Sequence, residues 1–194
     1  LFNELENVSI VDVSHNISPF NIVEAAYIVE NSYKNFPEGS IHIIGVDSEK
    51  TIEQSHLVIK LDNHFFICAN NGIMSLLASK INPEKIIEIN IHNDKVTTFS
   101  VIDVFVKIAA HIYRGGSIDL VGNQIFKLKE LYNLNPILNE KSNEISGNVI
   151  YVDNYDNVVT NISKKTFIEF GKSRSFEINA RNYIFKEIVS SYGN

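Results

Sequence analysis

Tryptophan is absent, and the 194 residues include one cysteine, one methionine, four prolines and nine glycines. The lone Cys68 excludes an intramolecular disulfide and any cysteine-built zinc site, and it fits a reducing cytoplasm. So little proline and glycine excludes a collagen-like or linker-dominated chain. No apolar run approaches the roughly eighteen residues of a membrane-spanning helix. Leu1 to Asn7 has neither the basic nor the apolar region of a signal peptide. Seventeen Lys+Arg against 23 Asp+Glu leave a net charge of -6 without long blocks of either sign, which argues against a nucleic-acid groove or a polybasic membrane patch. The six histidines (His15, His42, His56, His64, His92, His111) show no HxH or HxxxH pairing, so no metal site is expected. GxSxG, GxxxxGK[ST] and GxGxxG are missing too. A small-molecule partner is the expectation that survives.

What is present suffices for a core, with 44% hydrophobic and 21% charged residues. Val8 to Val13 reads as a short strand. Ser18-Pro19 reads as an N-cap and first helical residue, before a helix with Ile22, Ala25, Ala26, Val29 and Tyr33 on one face. Ser40 to Val46 reads as a buried strand, and Leu57–Leu61 with His64–Cys68 as a hairpin about Asp62-Asn63. Gly72 to Ser79 reads as a helix, Lys85 to Ile91 as a strand, and Asp103 to Tyr113 as a helix stopped by Gly115-Gly116. This alternation predicts an α/β domain with a largely parallel sheet. Phe126 to Ser146 reads as a polar connector with a short helix near Lys129. Strand-like segments follow at Asn148–Val152, Asn157–Ile162, Ser175–Ala180 and Tyr183–Val189. The expected division is 1–146 and 147–194.

Two places invite chemistry. Asp47 directly follows a buried strand, where ligands of open α/β sheets bind, and Asn70-Asn71-Gly72 follows the next one. The plainer readings are a solvated loop acid and a turn with a helix cap. Asp153-Asn154-Tyr155-Asp156-Asn157 offers a carboxylate, an aromatic face and an amide within five residues, and Asp156-Asn157 also suits a tight hairpin turn. Cys68, inside Phe65-Phe66-Ile67-Cys68, reads as a buried inert thiol.

Several segments, in order, resemble the S-adenosyl-L-methionine hydroxide adenosyltransferases, the family that also contains the fluorinase and chlorinase enzymes. Ile10 to Phe20 is similar to its "disH-x-i-x-P" segment, and Phe36 to His42 to "FP-x-G-t-v-h". Gly45-Val46-Asp47 resembles the start of "VDPGVG", Ala69 to Gly72 "PDNG", and Thr98 to Phe105 "TFHGRDIF". Val152 to Asn157 with Thr160-Asn161 resembles "D-x-FGN-x-iTN".

The resemblance implies an α/β N-terminal domain, a smaller C-terminal β-barrel, and a homotrimer with the ligand between one subunit's α/β domain and its neighbour's barrel. It implies hydrolysis of S-adenosylmethionine to adenosine and methionine by attack of water or hydroxide at the ribose C5′ carbon, with no cofactor. It assigns Phe20 to the nucleoside, Asp47 to the water, Asp153 to the methionine ammonium, Tyr155 to the adenine and Asn157 to the base edge. Asn71 lies in the matching Asn-Gly turn and is expected at the substrate. Where the family has an arginine and a histidine this chain has Gln54 and Ser100, which can hydrogen-bond a water but cannot deprotonate it near neutral pH. A non-catalytic adenosine- or S-adenosylmethionine-binding protein is the alternative, and halide transfer the less favoured third reading. The resemblance further implies that a first strand and closing barrel segments lie outside Leu1 to Asn194.

Overall fold

Two apolar runs, Leu57 to Leu61 (interrupted only by Lys60) and Phe65 to Ala69, flank Asp62-Asn63-His64, and they build the centre of the first of two units. The computed structural model describes residues 8–78, 81–91, 98–131 and 135–189. They divide between Leu1–Tyr132 and Asn133–Asn194. In the first unit β1 (Ile41–Ile43), β2 (His56–Leu61), β3 (His64–Ala69), β4 (Lys85–Ile89) and β5 (Gly122–Gln124) form one sheet in the order β1-β3-β2-β4-β5. Asp62 and Asn63 turn β2 into β3 with φ of 52° and 59°. Both lie in the left-handed region that a two-residue hairpin turn of the primed type requires and that Asp and Asn tolerate.

Side chains alternate across this sheet and both faces are covered. Leu57, Ile59, Leu61, Phe66 and Cys68 pack with Ala25 and Ala26 of α1 (Ile22–Ser32) and with Ile73, Met74 and Leu77 of α2 (Ile73–Leu77). Val58, Ile67, Ile87 and Ile89 pack on the other face against Val104, Phe105, Ile108 and Ile112. The last two belong to α3 (Val106–Tyr113), and Val104 and Phe105 to the π-helical turn Val101–Phe105 that leads into it. Covering two faces explains why the strands read as continuous hydrophobic runs. Burial of the Cys68 thiol pushes its pKa up to about 12, in keeping with an inert core cysteine.

The sheet is mixed rather than largely parallel: β1 runs parallel to β3, while β3–β2, β2–β4 and β4–β5 are antiparallel. A two-residue turn can join only antiparallel neighbours, and the β2–β3 hairpin occupies the middle of the sheet. The first helix also begins later than Ser18-Pro19 suggests. Phe20 takes a left-handed φ of 63°, which breaks helical continuity after Pro19. Asn21 caps the helix instead, its Oδ1 accepting from Glu24 N at 3.1 Å while Glu24 Oε2 accepts from Ser18 N and Asn21 Nδ2. This is a side-chain N-cap moved by three residues, with the Asn21 N–H itself donating to the Ser18 carbonyl. Val8 to Val13 joins no ladder among the described residues. No helix forms at Lys129, whose N–H donates to Asn70 Oδ1 at 2.9 Å. Ser79 and His92 lie outside the described residues.

The second unit has β6 (Ile137–Asn139) with β7 (Glu144–Ser146), β8 (Val149–Val152) with β9 (Val158–Thr160), and β10 (Ile178–Ala180) with β11 (Tyr183–Phe185), each pair antiparallel. A helix absent from the sequence reading, α4 (Lys164–Gly171), is capped by Ser163 Oγ accepting from Thr166 N at 3.0 Å. Among the described residues these strands close no barrel; the partial barrel expected over 147–194 appears as separate two-stranded ladders. Closure needs every strand to have two neighbours, and each of these three- or four-residue strands pairs only with its hairpin mate. No helix among the described residues is long and apolar enough to cross a membrane.

Candidate functional site

Leaving β1, the chain passes through Gly45 and Val46 to Asp47, whose φ of 48° is left-handed. For a non-glycine residue that conformation needs support from its surroundings. Three buried side chains supply it. Asn71 Nδ2 donates to the carbonyls of Val46 at 3.1 Å and Asp47 at 3.2 Å. Gln54 Nε2 donates to the carbonyls of Asp47 at 2.8 Å and Glu49 at 3.0 Å. His56 Nε2 lies 2.9 Å from the Ser48 carbonyl. Four consecutive carbonyls are thereby engaged by side chains from the entry to β2 and the exit from β3. The Asp47 carboxylate makes no hydrogen bond among the described residues.

Asn71 performs a second task, its Oδ1 accepting from Ile73 N at 3.1 Å at the start of α2. Gln54 has both amide hydrogens committed to carbonyls, so this side chain holds the loop. His56 is 2% exposed and meets Phe105 edge-on at a ring-centroid distance of 4.9 Å. Burial lowers its pKa; the Ser48 carbonyl opposes that and Lys50 adds to it. The residue-level reading did not pick out His56. The available signal was a histidine opening a strand otherwise rich in Leu, Val and Ile.

Ser100 precedes the π-helical turn and is 3% exposed, and among the described residues its Oγ has no hydrogen-bond partner. A buried hydroxyl left unmatched costs about 1–3 kcal/mol, so a donor or acceptor arriving there would recover that cost. The turn is close to the segment that leads from β1 to Asp47: a Cβ added at Gly45 would stand 2.9 Å from Val101 Cγ2. Phe20 is 77% exposed, an aromatic face open to solvent, and among the described residues no hydrogen bond or ring contact ties it to the clamp.

Asp153, Tyr155 and Asn157 gather in the β8–β9 turn of the second unit. Asp153 Oδ1 accepts from the N–H groups of Tyr155 and Asn157, and Oδ2 accepts from Asn157 Nδ2, all at 2.8 Å. The Asn157 amide first, and then the two backbone N–H groups, hold the Asp153 pKa below its usual value. This carboxylate builds its own turn, with Asp156 at φ 63° completing it. Tyr155 points outward, 87% exposed. Among the described residues no group of three or more His, Cys, Asp or Glu could hold a metal.

Comparison with known proteins finds two domain matches in order along the chain. Residues 1–122 match the SAM hydroxide adenosyltransferase N-terminal domain, and residues 147–194 match the corresponding C-terminal domain. The chain is 27% identical over 161 residues to the (R)-S-adenosyl-L-methionine hydrolase of Methanocaldococcus jannaschii, a match covering 82% of this chain and 56% of that protein. An uncharacterized conserved protein from Thermotoga maritima has a similar fold, with a TM-score of 0.78 at 24% identity over 92% of this chain and 70% of the other. A conserved hypothetical protein from Thermus thermophilus gives a TM-score of 0.60 at 22% identity over 78% and 59%. With both domain families matched in order along its length, the chain belongs to the SAM hydroxide adenosyltransferase family.

Proposed function

We propose that this chain hydrolyses S-adenosyl-L-methionine to adenosine and L-methionine, with Asp47 holding the attacking water. One observation carries the reading: the backbone around Asp47 is tied down at four carbonyls while its carboxylate is left uncommitted. Family membership and the name of the Methanocaldococcus relative supply the substrate. In the step, a lone pair of the water oxygen attacks ribose C5′. The C5′–S bond breaks with its electrons going to sulfur, so neutral methionine leaves, and the water proton passes to the Asp47 carboxylate and on to solvent. Such general-base assistance contributes on the order of a hundredfold or more, and correct placement of the water contributes further.

Around that centre, Phe20 would pack on the nucleoside, Asn71 would hold both loop and substrate, and Ser100 Oγ would hydrogen-bond the nucleophile. Tyr155 and Asn157 would receive the adenine. Asp153, with both oxygens engaged in its turn, would take the methionine ammonium through its remaining lone pairs. The assembly would be a homotrimer acting in the cytoplasm. The test is product analysis after incubation with S-adenosyl-L-methionine: adenosine and methionine in equal amounts, falling at least about a hundredfold in Asp47→Asn. No adenosine above the protein-free rate defeats the proposal.

A second reading, binding without turnover, draws on Gln54, whose amide hydrogens are spent on the loop. Calorimetric heat with adenosine or S-adenosylmethionine and no product would establish it. Halide transfer rests only on the unpartnered Ser100 hydroxyl, and halide-dependent loss of substrate would reveal it.

A further inference from the structure

We infer that His56 is a positioning residue for Asp47, acting through the Ser48 carbonyl to aim the Asp47 carboxylate. The inference rests on the reading of Asp47 as the group that holds the water. Its basis is the mounting of the clamp. Gln54 and His56 stand at the entry to β2 and Asn71 just beyond β3, and His56 pairs with Ala69 across that ladder. The three donors are thus fixed to the open end of one hairpin, opposite its Asp62-Asn63 turn, and its strands lie in the core. Of the three, Asn71 and Gln54 share the Asp47 carbonyl, whereas His56 alone serves Ser48.

A carbonyl can only accept, so the Ser48 contact requires the proton on Nε2. Burial disfavours the charged ring, which leaves the neutral Nε2–H tautomer. Phe105, 0% exposed, meets the ring edge-on with an interplanar angle of 83° and limits its rotation. Phe105 ends the π-helical turn that follows Ser100. His56 therefore joins the loop bearing Asp47 to the segment bearing Ser100. Without the Nε2–H the Ser48 carbonyl would lose its partner and turn toward water, carrying the neighbouring carboxylate with it.

The experiment has three arms. In the unchanged full chain at neutral pH, imidazole ¹⁵N NMR should find the His56 proton on Nε2; a proton on Nδ1 overturns the inference. Backbone ¹⁵N relaxation without ligand should give rigid order parameters of about 0.85 for residues 46–49, falling below about 0.6 in His56→Leu and recovering in His56→Gln, whose amide can replace the donor. Unchanged values in His56→Leu overturn it. Should His56→Leu not fold, the tautomer and the comparison of unchanged chain with His56→Gln decide: a loop mobile in His56→Gln refutes the donor role.

The third arm is turnover of S-adenosyl-L-methionine. His56→Leu should lower kcat on the order of a hundredfold with KM moved only a few-fold, and His56→Gln should restore most of it. A rise in KM with kcat intact contradicts positioning. If the unchanged chain makes no adenosine, the proposed function fails by itself, and the first two arms still decide what His56 does.

Discussion

All the buried core residues, from Ala25 to Val121, lie in the first unit. Among the described residues of the second unit none is buried. Yet both units contain β-branched and aromatic strands, and Val149, Ile184 and Phe185 are as apolar as Val58, Ile67 and Phe66. The difference is what lies over them. In the first unit helices cover both faces of a five-stranded sheet; in the second, three separate ladders of two short strands leave these side chains at 50–61% exposure. A hydrophobic residue stabilises through the area it removes from water, and an isolated two-stranded hairpin is marginal in water. Local hydrogen bonds, such as those of Asp153 and Ser163, therefore matter more in the second unit than in the first.

The largest expected effect tests that contrast directly. Phe66→Ala, emptying a site that is 0% exposed, should cost the first unit about 3–5 kcal/mol in urea unfolding followed by circular dichroism. A cost under about 1 kcal/mol would mean the sheet is far less tightly packed than its burial indicates.

Acid should separate the units next. His42, whose Nε2 lies 3.1 Å from His64 Nδ1, is lowered to about 4 by burial and then by the charge of His64. A histidine whose folded value lies below its unfolded value of about 6.5 binds fewer protons when folded, so the first unit loses stability as pH falls from about 6.5 to about 4, by at most about 3 kcal/mol. Unfolding curves at pH 7, 5.5 and 4 check this, and His42→Phe should flatten the dependence.

Asp153 behaves differently, because its folded value is depressed below the ordinary 3.9 or so. Its contribution is present above that pH and is lost as pH falls through the folded value, so the β8–β9 turn should withstand the drop from pH 6.5 to 5 that already weakens the first unit. Amide NMR of Tyr155 and Asn157 across pH 2–6 reports it, and Asp153→Ala should loosen the turn at every pH. The smallest effect belongs to Ile168→Ala, at 57% exposure, which should stay within about 0.5 kcal/mol. A loss comparable to that of Phe66→Ala would erase the contrast between the units.

The hairpin about Asp62-Asn63 was legible because its signals are local: two apolar runs and a two-residue turn that needs left-handed φ. The helix around Ile22 to Tyr33 was legible for the same reason, though its start was not, since Phe20 breaks the backbone after Pro19. Sheet direction was not legible. Alternating strands and helices suggest crossovers, and only the spatial order shows the hairpin sitting at the sheet's centre. At the site, Asp47 and Asn71 could be singled out by their places after strands. The joint grip of Asn71, Gln54 and His56 on the Asp47 loop could not, because it depends on carbonyl directions that no residue type announces. In the second unit the four strands after Gly147 were legible from their β-branched runs, whereas their partnering was not, since each pairs only with its hairpin mate.

Cys68 is the only thiol of the chain and sits at 0% exposure in β3, next to the centre of the mixed sheet. A sulfhydryl reagent added to the native protein can reach it only when that sheet opens. Its rate of modification therefore serves as a built-in clock for opening of the first unit, with no engineered label and no second thiol to confuse the reading.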